Sequence, residues 1–328
     1  MGNGKAKTKF ELISMTIAGK YLNLIKFSHT IFAMPFALIG FFLGVFWYSH
    51  SLPQTSTDTA VLSNNNSFSN FFSTNWHLFV LVVLCMVFAR TAAMAFNRYL
   101  DRHFDAKNPR TAVREIPAGI LKADSVLWFT IVNAGLFILC TWFINAICFF
   151  LPPVALAVIL GYSYTKRFTP LCHLVLGLGL SLAPIGAYLA VTGQFDLEPV
   201  LFSFAVIFWV SGFDIIYALQ DDEFDKTNNL YSIPSVLGRR KALRVSELLH
   251  LLSGICVVVV GFVGEFGWFY WAGILVFVGM LIYQHIIVKP NDLHRVNIAF
   301  MTANGLASVV FAVLVICDLL IKNNTINP

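Results

Sequence analysis

Apolar and polar positions along the chain fall into long blocks, not into the short alternation of half-buried strands. Apolar runs of roughly 20 residues recur at 24–48, 76–97, 124–144, 146–163, 170–191, 199–219, 246–264, 268–288 and 298–320, separated by polar connections. A run of about 20 apolar residues spans the hydrocarbon core of a bilayer. Inside lipid, backbone N–H and C=O groups find no water, so each run must be a helix. The short alternating segments of a membrane barrel are absent. The pattern predicts an all-α polytopic bundle of nine transmembrane helices. It forms a single integral-membrane domain over 1–328, with a polar N-terminal tail at 1–20 and an outside loop at 49–75.

Charge then orients the bundle. The connections at 49–75, 145, 192–198 and 265–267 contain no Lys or Arg. The alternate connections hold Lys5, Lys7, Lys9, Lys20 and Lys26, six basic residues between Arg98 and Lys122, then Lys166 and Arg167, five between Lys226 and Arg244, and Lys289 and Arg295. By the positive-inside rule the N-terminus is cytoplasmic and the C-terminus outside, which requires an odd number of spans. Composition agrees: 58% of the residues are hydrophobic and 12% charged, which excludes a soluble enzyme. The net charge of +5 reads as topology, not as nucleic-acid binding. An N-terminus polar through Phe10, followed by a long apolar stretch, does not fit a cleavable signal peptide. The six cysteines form no CxxC pair and read as small packing residues. Asn65-Asn66-Ser67 is a glycosylation sequon, Gly40 and Gly44 fit a GxxxG packing pattern, and Pro35, Pro184 and Pro234 are candidate kinks or ends. The eight histidines show no metal-ligand spacing and receive no role.

The chemistry lies at the ends of the second and sixth spans. On a continuing helix Asn97 and Asp101 fall about 20° to either side of Arg90, and Asp105 extends the face by a turn. Asp214, Asp221 and Asp225 lie within about 40°, with Tyr217 on the same side. Carboxylates at a helix C-terminus oppose the macrodipole, so two such clusters at matching depth are poorly explained as caps. Hard divalent cations satisfy stacked carboxylates, and Mg²⁺ is commonly held by one or two of them together with substrate phosphates. The Arg and Lys around them suit phosphate oxygens. Asp222 and Glu223 point elsewhere on a straight helix and read equally as ordinary loop charges. The residues thus describe a Mg²⁺–diphosphate site at the membrane surface beside an apolar bundle, fitting a diphosphate with a long hydrocarbon tail. The clusters also echo one another: Asp101/Asp105 and Asp221/Asp225 are each followed by Ile-Pro and then Gly (Ile116-Pro117, Gly119; Ile233-Pro234, Gly238).

Arg90 through Asp105, with NPRTAVREIPAG after it, resembles the first Asp-rich motif of the UbiA superfamily of membrane prenyltransferases. Asp214 through Asp225 resembles the second. The wording IKFSHTIFAMPFALIG and SGFDIIYALQDDEFD is most similar to 4-hydroxybenzoate polyprenyltransferase-like proteins, in particular the MqnP-type menaquinone branch. Two positions depart from the usual pattern: Asn97 is followed by Arg98 where the family usually has Asp, and Tyr231-Ser232 stands where many relatives have Lys-Ser.

The resemblance implies a nine-helix bundle with a cytoplasmic cap over a central cavity, in a bacterial inner membrane. It implies Mg²⁺-dependent transfer of a polyprenyl group from polyprenyl diphosphate to an aromatic acid in quinone biosynthesis. Asn97, Asp101 and Asp105 would hold one Mg²⁺, and Asp221 and Asp225 a second. Lys166 and Arg167 would bind diphosphate, assisted by Arg110 and Arg114. Asp214 and Tyr217 would sit deeper, towards the reacting carbon and the acceptor, and Arg90 would meet the acceptor carboxylate. The partners are the diphosphate, the aromatic acid and the lipid bilayer, with no nucleic acid and no obligate protein partner. The alternatives are a superfamily member with a haem, chlorophyllide or naphthoate acceptor, and, from a different class, a small membrane transporter or flippase.

Overall fold

The structure is a computed structural model and describes residues 14, 16–25, 33–51 and 68–326. The tail lysines Lys5, Lys7 and Lys9, together with Lys26, His29 and the Asn65-Asn66-Ser67 sequon, lie outside the described residues. Among those described, the elements are α1 (Ile17–Leu24), α2 (Met34–Ser51), α3 (Phe68–Leu100), α4 (Arg102–Lys107), α5 (Ala123–Trp142), α6 (Ala146–Phe150), α7 (Pro152–Thr165), α8 (Cys172–Thr192) and α9 (Leu197–Ala218). They continue with α10 (Asp222–Thr227), α11 (Ile233–Leu237), α12 (Arg239–Val263), α13 (Trp268–Ile287) and α14 (Asn304–Ile326). A 3-10 turn, Leu219–Asp221, joins α9 to α10, and a π-helical turn, Ile298–Ala303, leads into α14. The protein is all-helical and polytopic: seven helices among the described residues are long and apolar enough to cross a membrane.

Two of the nine expected spans differ among the described residues. In the first, α2 runs from Met34, and 26–32 lie outside the described residues. The fourth, expected at 146–163, is broken at Leu151 into α6 and α7. Pro152 and Pro153 supply no backbone donors, which ends any helix entering from Ala146. Asn145 starts α6 by accepting from the Cys148 N–H at 2.9 Å, and its amide donates to the Leu189 carbonyl at 2.8 Å. The end of the expected outside loop at 49–75 is also helical, from Phe68, with a non-helical residue at Asn75. Pro35 and Pro234 lie in first turns, where a missing N–H costs nothing. Pro184 lies inside α8. All six cysteines are free.

Lipid tails are as apolar as Leu, so helices in a bilayer associate through close packing and interhelical hydrogen bonds instead of water exclusion. Both are concentrated on one side. There α2, α8, α9, α12, α13 and α14 pack together around Phe36, Phe202, Trp209, Tyr270, Phe277 and Phe311, each fully buried. The rings meet at centroid distances such as 5.2 Å for Phe36–Trp209 and 5.2 Å for Phe277–Phe311. The GxxxG pattern is a contact surface: a Cβ on Gly40 would stand 2.0 Å from the Pro184 carbonyl oxygen, and one on Gly44 3.0 Å from the Val191 Cβ. Serines stitch the same side, with Ser246 donating to the Gly212 carbonyl (2.7 Å) and Ser253 to the Ala205 carbonyl (2.8 Å).

Asn304, at the end of the π turn, is the central polar node. Its Oδ1 accepts from Trp209 Nε1 (2.9 Å) and Gln284 Nε2 (2.8 Å), and its amide donates to the carbonyls of Ala299 (3.2 Å) and Phe300 (3.0 Å). That turn presents Phe300 to Tyr217 at 4.2 Å between ring centroids. The other side of the bundle, where α3, α5 and α7 pack against one another and onto α8, is hollow.

Gly40→Ala forces a Cβ into a backbone carbonyl that has no rotamer to yield, so it should lower stability in detergent by about 1–3 kcal/mol, read as a fall in the thermal midpoint. Asn304→Leu leaves the Trp209 and Gln284 donors and two carbonyls unpaired in a dry core and should cost about 1–3 kcal/mol. A lipid-facing control, Leu275→Ala, should be neutral by comparison in the same melts, since Leu275 is 77% exposed.

Candidate functional site

The two Asp-rich segments do not continue their helices. α3 ends at Leu100, Asp101 takes φ −87° and ψ 3°, and the six-residue α4 begins at once. At the corresponding place Asp221 takes φ −113° and ψ 6° before the six-residue α10. Asp105 and Asp225 are the fourth residues of these short helices, and both are buried. The break resolves the electrostatic objection to acids at a helix C-terminus. Asp105, and Asp222, Glu223 and Asp225, lie in the first turns of new helices, where the dipole favours negative charge. The internal echo extends to the backbone, since Gly119 and Gly238 both have positive φ, 73° and 77°. Asp222 is not a loop charge: it is buried and held by Arg239 through Nε at 2.8 Å and Nη2 at 2.9 Å. Glu223 stays exposed.

The connections at this end of the bundle are held by four further ion pairs, three of them between different segments. Arg110 grips Asp221 through two nitrogens, with Nε 2.9 Å from Oδ1, and its Nη1 donates to the Tyr217 hydroxyl at 3.0 Å. Arg114 binds Asp105 at 2.6 Å. Lys166 stands 2.8 Å from Asp225, whose side chain is fully buried. Arg167 approaches Asp101 at 3.5 Å and also donates to the Leu100 carbonyl at 3.1 Å. Asn108 adds a bond to Asp221 at 3.0 Å, and Ser232 one to Asp225 at 3.0 Å. Asn97 donates to Asp101 at 3.0 Å, as their shared face requires. Burial, followed by the neighbouring Asp105, raises the Asp101 carboxyl above its ordinary pKa, against the pull of Arg167 and Lys166. Burial lowers Lys166, but the Asp225 carboxylate outweighs it and holds the ammonium above its ordinary value.

The acids Asp101, Asp105, Asp221 and Asp225 and the bases Arg110, Arg114, Lys166 and Arg167 therefore meet as matched pairs. As arranged, no three acidic, His or Cys side chains among the described residues stand at metal-binding distances. The donor set nonetheless suits a hard cation: oxygens from Asn97, Asp101, Asp105, Asp221 and Asp225 gather here, and Asp105 Oδ2 is buried without a hydrogen-bond partner.

Further along the same helices lies a cavity of about 350 Å³, bordered by α3, α5, α7 and α8 and lined by apolar side chains such as Met86, Met94, Phe137, Ile159 and Leu180. Arg90 and Tyr162 line the same cavity. Arg90 has no ion pair among the described residues, and its Nε is buried without a partner. The two motif departures have structural explanations. Arg98 turns away from the site and is buried, its Nε donating to the Leu24 carbonyl of α1 at 3.4 Å. Ser232 caps α11 in a capping box with Ser235, and the Tyr231 N–H reaches the Lys166 carbonyl at 2.7 Å.

One participant escaped the sequence reading. His173, assigned no role, bonds Asp214 Oδ2 through Nδ1 at 2.7 Å, and its Nε2 accepts from the Ile233 N–H at 3.3 Å. It lies 41 residues from Asp214 and outside both motifs, so only the packing of α8 on α9 joins them.

The sequence model of the UbiA prenyltransferase family matches residues 67–306, which include every one of these residues. The chain is 27% identical over 237 residues to the 4-hydroxybenzoate octaprenyltransferase of Francisella tularensis, covering 72% of this chain and 83% of the relative. It is 28% identical to that of Aliivibrio fischeri, covering 72% and 82%. Among solved structures, the apo UbiA homolog of Aeropyrum pernix superposes with a TM-score of 0.70 at 24% identity, over 90% of this chain and 98% of that one. The Archaeoglobus fulgidus UbiA homolog bound to GPP and Mg²⁺ gives 0.63 at 19% identity, over 92% and 99%. These likenesses show the fold. With the match across 67–306, the chain belongs to the UbiA prenyltransferase family and is a membrane prenyltransferase.

Proposed function

We propose that the protein transfers a polyprenyl group from polyprenyl diphosphate to an aromatic acid of the 4-hydroxybenzoate type, in quinone biosynthesis, with Mg²⁺ and release of diphosphate. One observation carries the reading: four carboxylate–base pairs gather at one end of α3 and α7, and the preceding turns of the same helices line an apolar cavity that also holds Arg90, which has no ion pair among the described residues. The names of the relatives support the acceptor class. The A. fulgidus homolog, with GPP and Mg²⁺ bound, supports the metal and an allylic diphosphate.

Asn97, Asp101 and Asp105 would hold one Mg²⁺, and Asp221 and Asp225 a second. When bound, the metal draws electron density from the diphosphate oxygens and so makes diphosphate a better leaving group. Substrate entry exchanges partners: Arg110, Arg114, Lys166 and Arg167 pass from carboxylates to diphosphate oxygens, and the freed carboxylates face the cation. Because charge stays matched throughout, each half of the exchange depends on the other.

The hydrocarbon tail occupies the cavity between α3, α5, α7 and α8. Arg90 meets the carboxylate of the acid, which places the ring beside Tyr217 and Asp214. The allylic C–O bond breaks with its electron pair passing to diphosphate, where the four basic side chains stabilise the charge. A ring carbon attacks the cation to form the C–C bond, and Asp214 takes the displaced ring proton. The dry cavity keeps water from the cation. The polar layer faces the cytoplasm of a bacterial inner membrane, with the N-terminus inside and the C-terminus outside. Support comes from the basic residues at this end and from the bacterial relatives. α2 and the α6–α7 pair complete nine crossings, with the interlocked connections as the cap.

Asp101→Ala and Asp221→Ala should each abolish transfer, with at least about a hundredfold loss of kcat, while the proteins still insert. Normal activity in both purified variants sinks the metal-site reading. Mg²⁺ plus a non-hydrolysable prenyl diphosphate should raise the thermal midpoint by more than the sum of either alone, and EDTA should reverse it. Because the Asp101 pKa is raised, protons compete for its carboxylate at higher pH than for an ordinary Asp. The joint stabilisation should therefore be full at neutral pH and fade as pH falls towards and through the carboxylate range, less steeply in Asp101→Asn. Arg90→Gln should raise the KM for the aromatic acid about 10- to 100-fold, the worth of a buried charge-assisted hydrogen bond, with the KM for the prenyl diphosphate unchanged. Steady-state kinetics with mass-spectrometric detection of the prenylated acid reads both.

A further inference from the structure

We infer that His173 is the positioning residue of this reaction: it fixes the Asp214 carboxylate at the acceptor end of the site and ties it to the segment that shapes the diphosphate end. The inference rests on the role of Asp214 proposed above and names the group that makes that role possible.

The hydrogen bonds determine the ring's state. His173 is 2% exposed, at the start of α8. The Ile233 N–H donates to its Nε2 at 3.3 Å, so Nε2 carries a lone pair and the neutral ring bears its proton on Nδ1. Nδ1 then donates to Asp214 Oδ2, 2.7 Å away. The backbone of the same residue is also anchored, since the His173 carbonyl accepts from the Ser211 hydroxyl at 3.1 Å, one turn before Asp214 on α9. The helices meet closely here: a Cβ on Gly177 would stand 2.5 Å from the Ile207 carbonyl oxygen. These contacts hold α8 and α9 together at the level of the His173–Asp214 pair.

Exposure divides the labour. The His173 side chain is 3% exposed and that of Asp214 24%, so the ring is sealed behind a carboxylate that substrate can still reach. Asp214 Oδ1 has no hydrogen-bond partner among the described residues and is left to receive the proton from the acceptor ring. His173 does not carry that proton onward, because its other nitrogen is occupied by the Ile233 N–H. Its work is geometric, holding one oxygen of the base so that the other keeps a fixed bearing on the reacting carbon. Ile233 lies directly after Ser232, which donates to Asp225, and two residues after Tyr231, whose N–H reaches the carbonyl of Lys166. Through this segment the imidazole joins the carboxylate that accepts a proton to the carboxylate and lysine that handle diphosphate.

The test compares His173→Ala, His173→Asn and His173→Gln in detergent. Four readouts are taken: kcat, the KM for each substrate, calorimetric binding of a non-hydrolysable prenyl diphosphate with Mg²⁺, and the thermal midpoint. The Asn amide nitrogen falls where Nδ1 stood and can still donate to Asp214, whereas the Gln amide falls where Nε2 stood. His173→Ala should lower kcat by about 30-fold or more, with diphosphate binding within about threefold of the parent, and His173→Asn should recover to within about fivefold. His173→Gln should stay close to His173→Ala. In the ¹⁵N-histidine spectrum of the parent protein, His173 should be the Nδ1–H tautomer. A kcat within about twofold of the parent in His173→Ala, or equal losses in Asn, Gln and Ala that track the thermal midpoint, or an Nε2–H ring, overturns the inference. Absence of prenyl transfer by the parent protein to any aromatic acid overturns instead the functional reading on which it rests.

Discussion

Ionised carboxylates cannot remain unpaired at the edge of a low-dielectric bundle, and the site end of this protein is organised by that constraint. Asp101, Asp105, Asp221 and Asp225 each take a basic partner, from another segment of the chain for all but Asp105. Pairing Arg110 with Asp221 and Arg114 with Asp105 folds the connection after α4 over the site. Pairing Lys166 with Asp225 and Arg167 with Asp101 draws in the end of α7. Two breaks in the helices, at Asp101 and Asp221, turn the second acid of each pair into a first-turn residue of a short helix. The desolvation cost of a buried ion is several kcal/mol, so the pairs are best understood as enforced neutrality and not as a source of stability.

In the proposed reaction the same neutrality would let a metal cation and a diphosphate anion, arriving with both signs of charge, exchange partners with the pairs without leaving a buried charge exposed, which neither ion alone would do. The rest of the bundle divides to serve that chemistry. One side is filled by interlocking aromatic rings around Trp209 and pinned by Asn304, which gives a rigid wall. The other side keeps an apolar cavity, with Arg90 and Tyr162 among its few polar groups. Tyr217 and Phe300 join the halves, because the π turn that Asn304 stabilises also sets the ring against Tyr217.

Family membership establishes a prenyltransferase. The acceptor proposed for it rests on Arg90, which has no ion pair among the described residues and lines an apolar cavity. In that proposal His173 keeps the orientation of the carboxylate beside the acceptor.

By itself the sequence determined the membrane bundle, the end of it that carries the charges, and nearly all of the residues that meet there. These are local or one-dimensional signals: runs of apolar residues, the bias of Lys and Arg among connections, and acids spaced by four. It also marked Gly40 and Gly44 as a contact face, because a pair of missing side chains at that spacing leaves a groove. Only the tertiary structure decided the rest. Extrapolating straight helices through Asp101 and Asp221 failed, because a helix carrying buried acids at its C-terminus gains by breaking there, and that gain depends on arginines and lysines from other segments. The split at Leu151 depends on prolines that a hydropathy pattern counts as apolar. Asp222 read as a surface charge until Arg239 was placed against it. His173 carries no motif spacing at all. Its partners are an Asp from α9 and a backbone N–H from α11, and such a set exists only once three distant segments are packed together, since hydrogen bonds are decided by proximity in space.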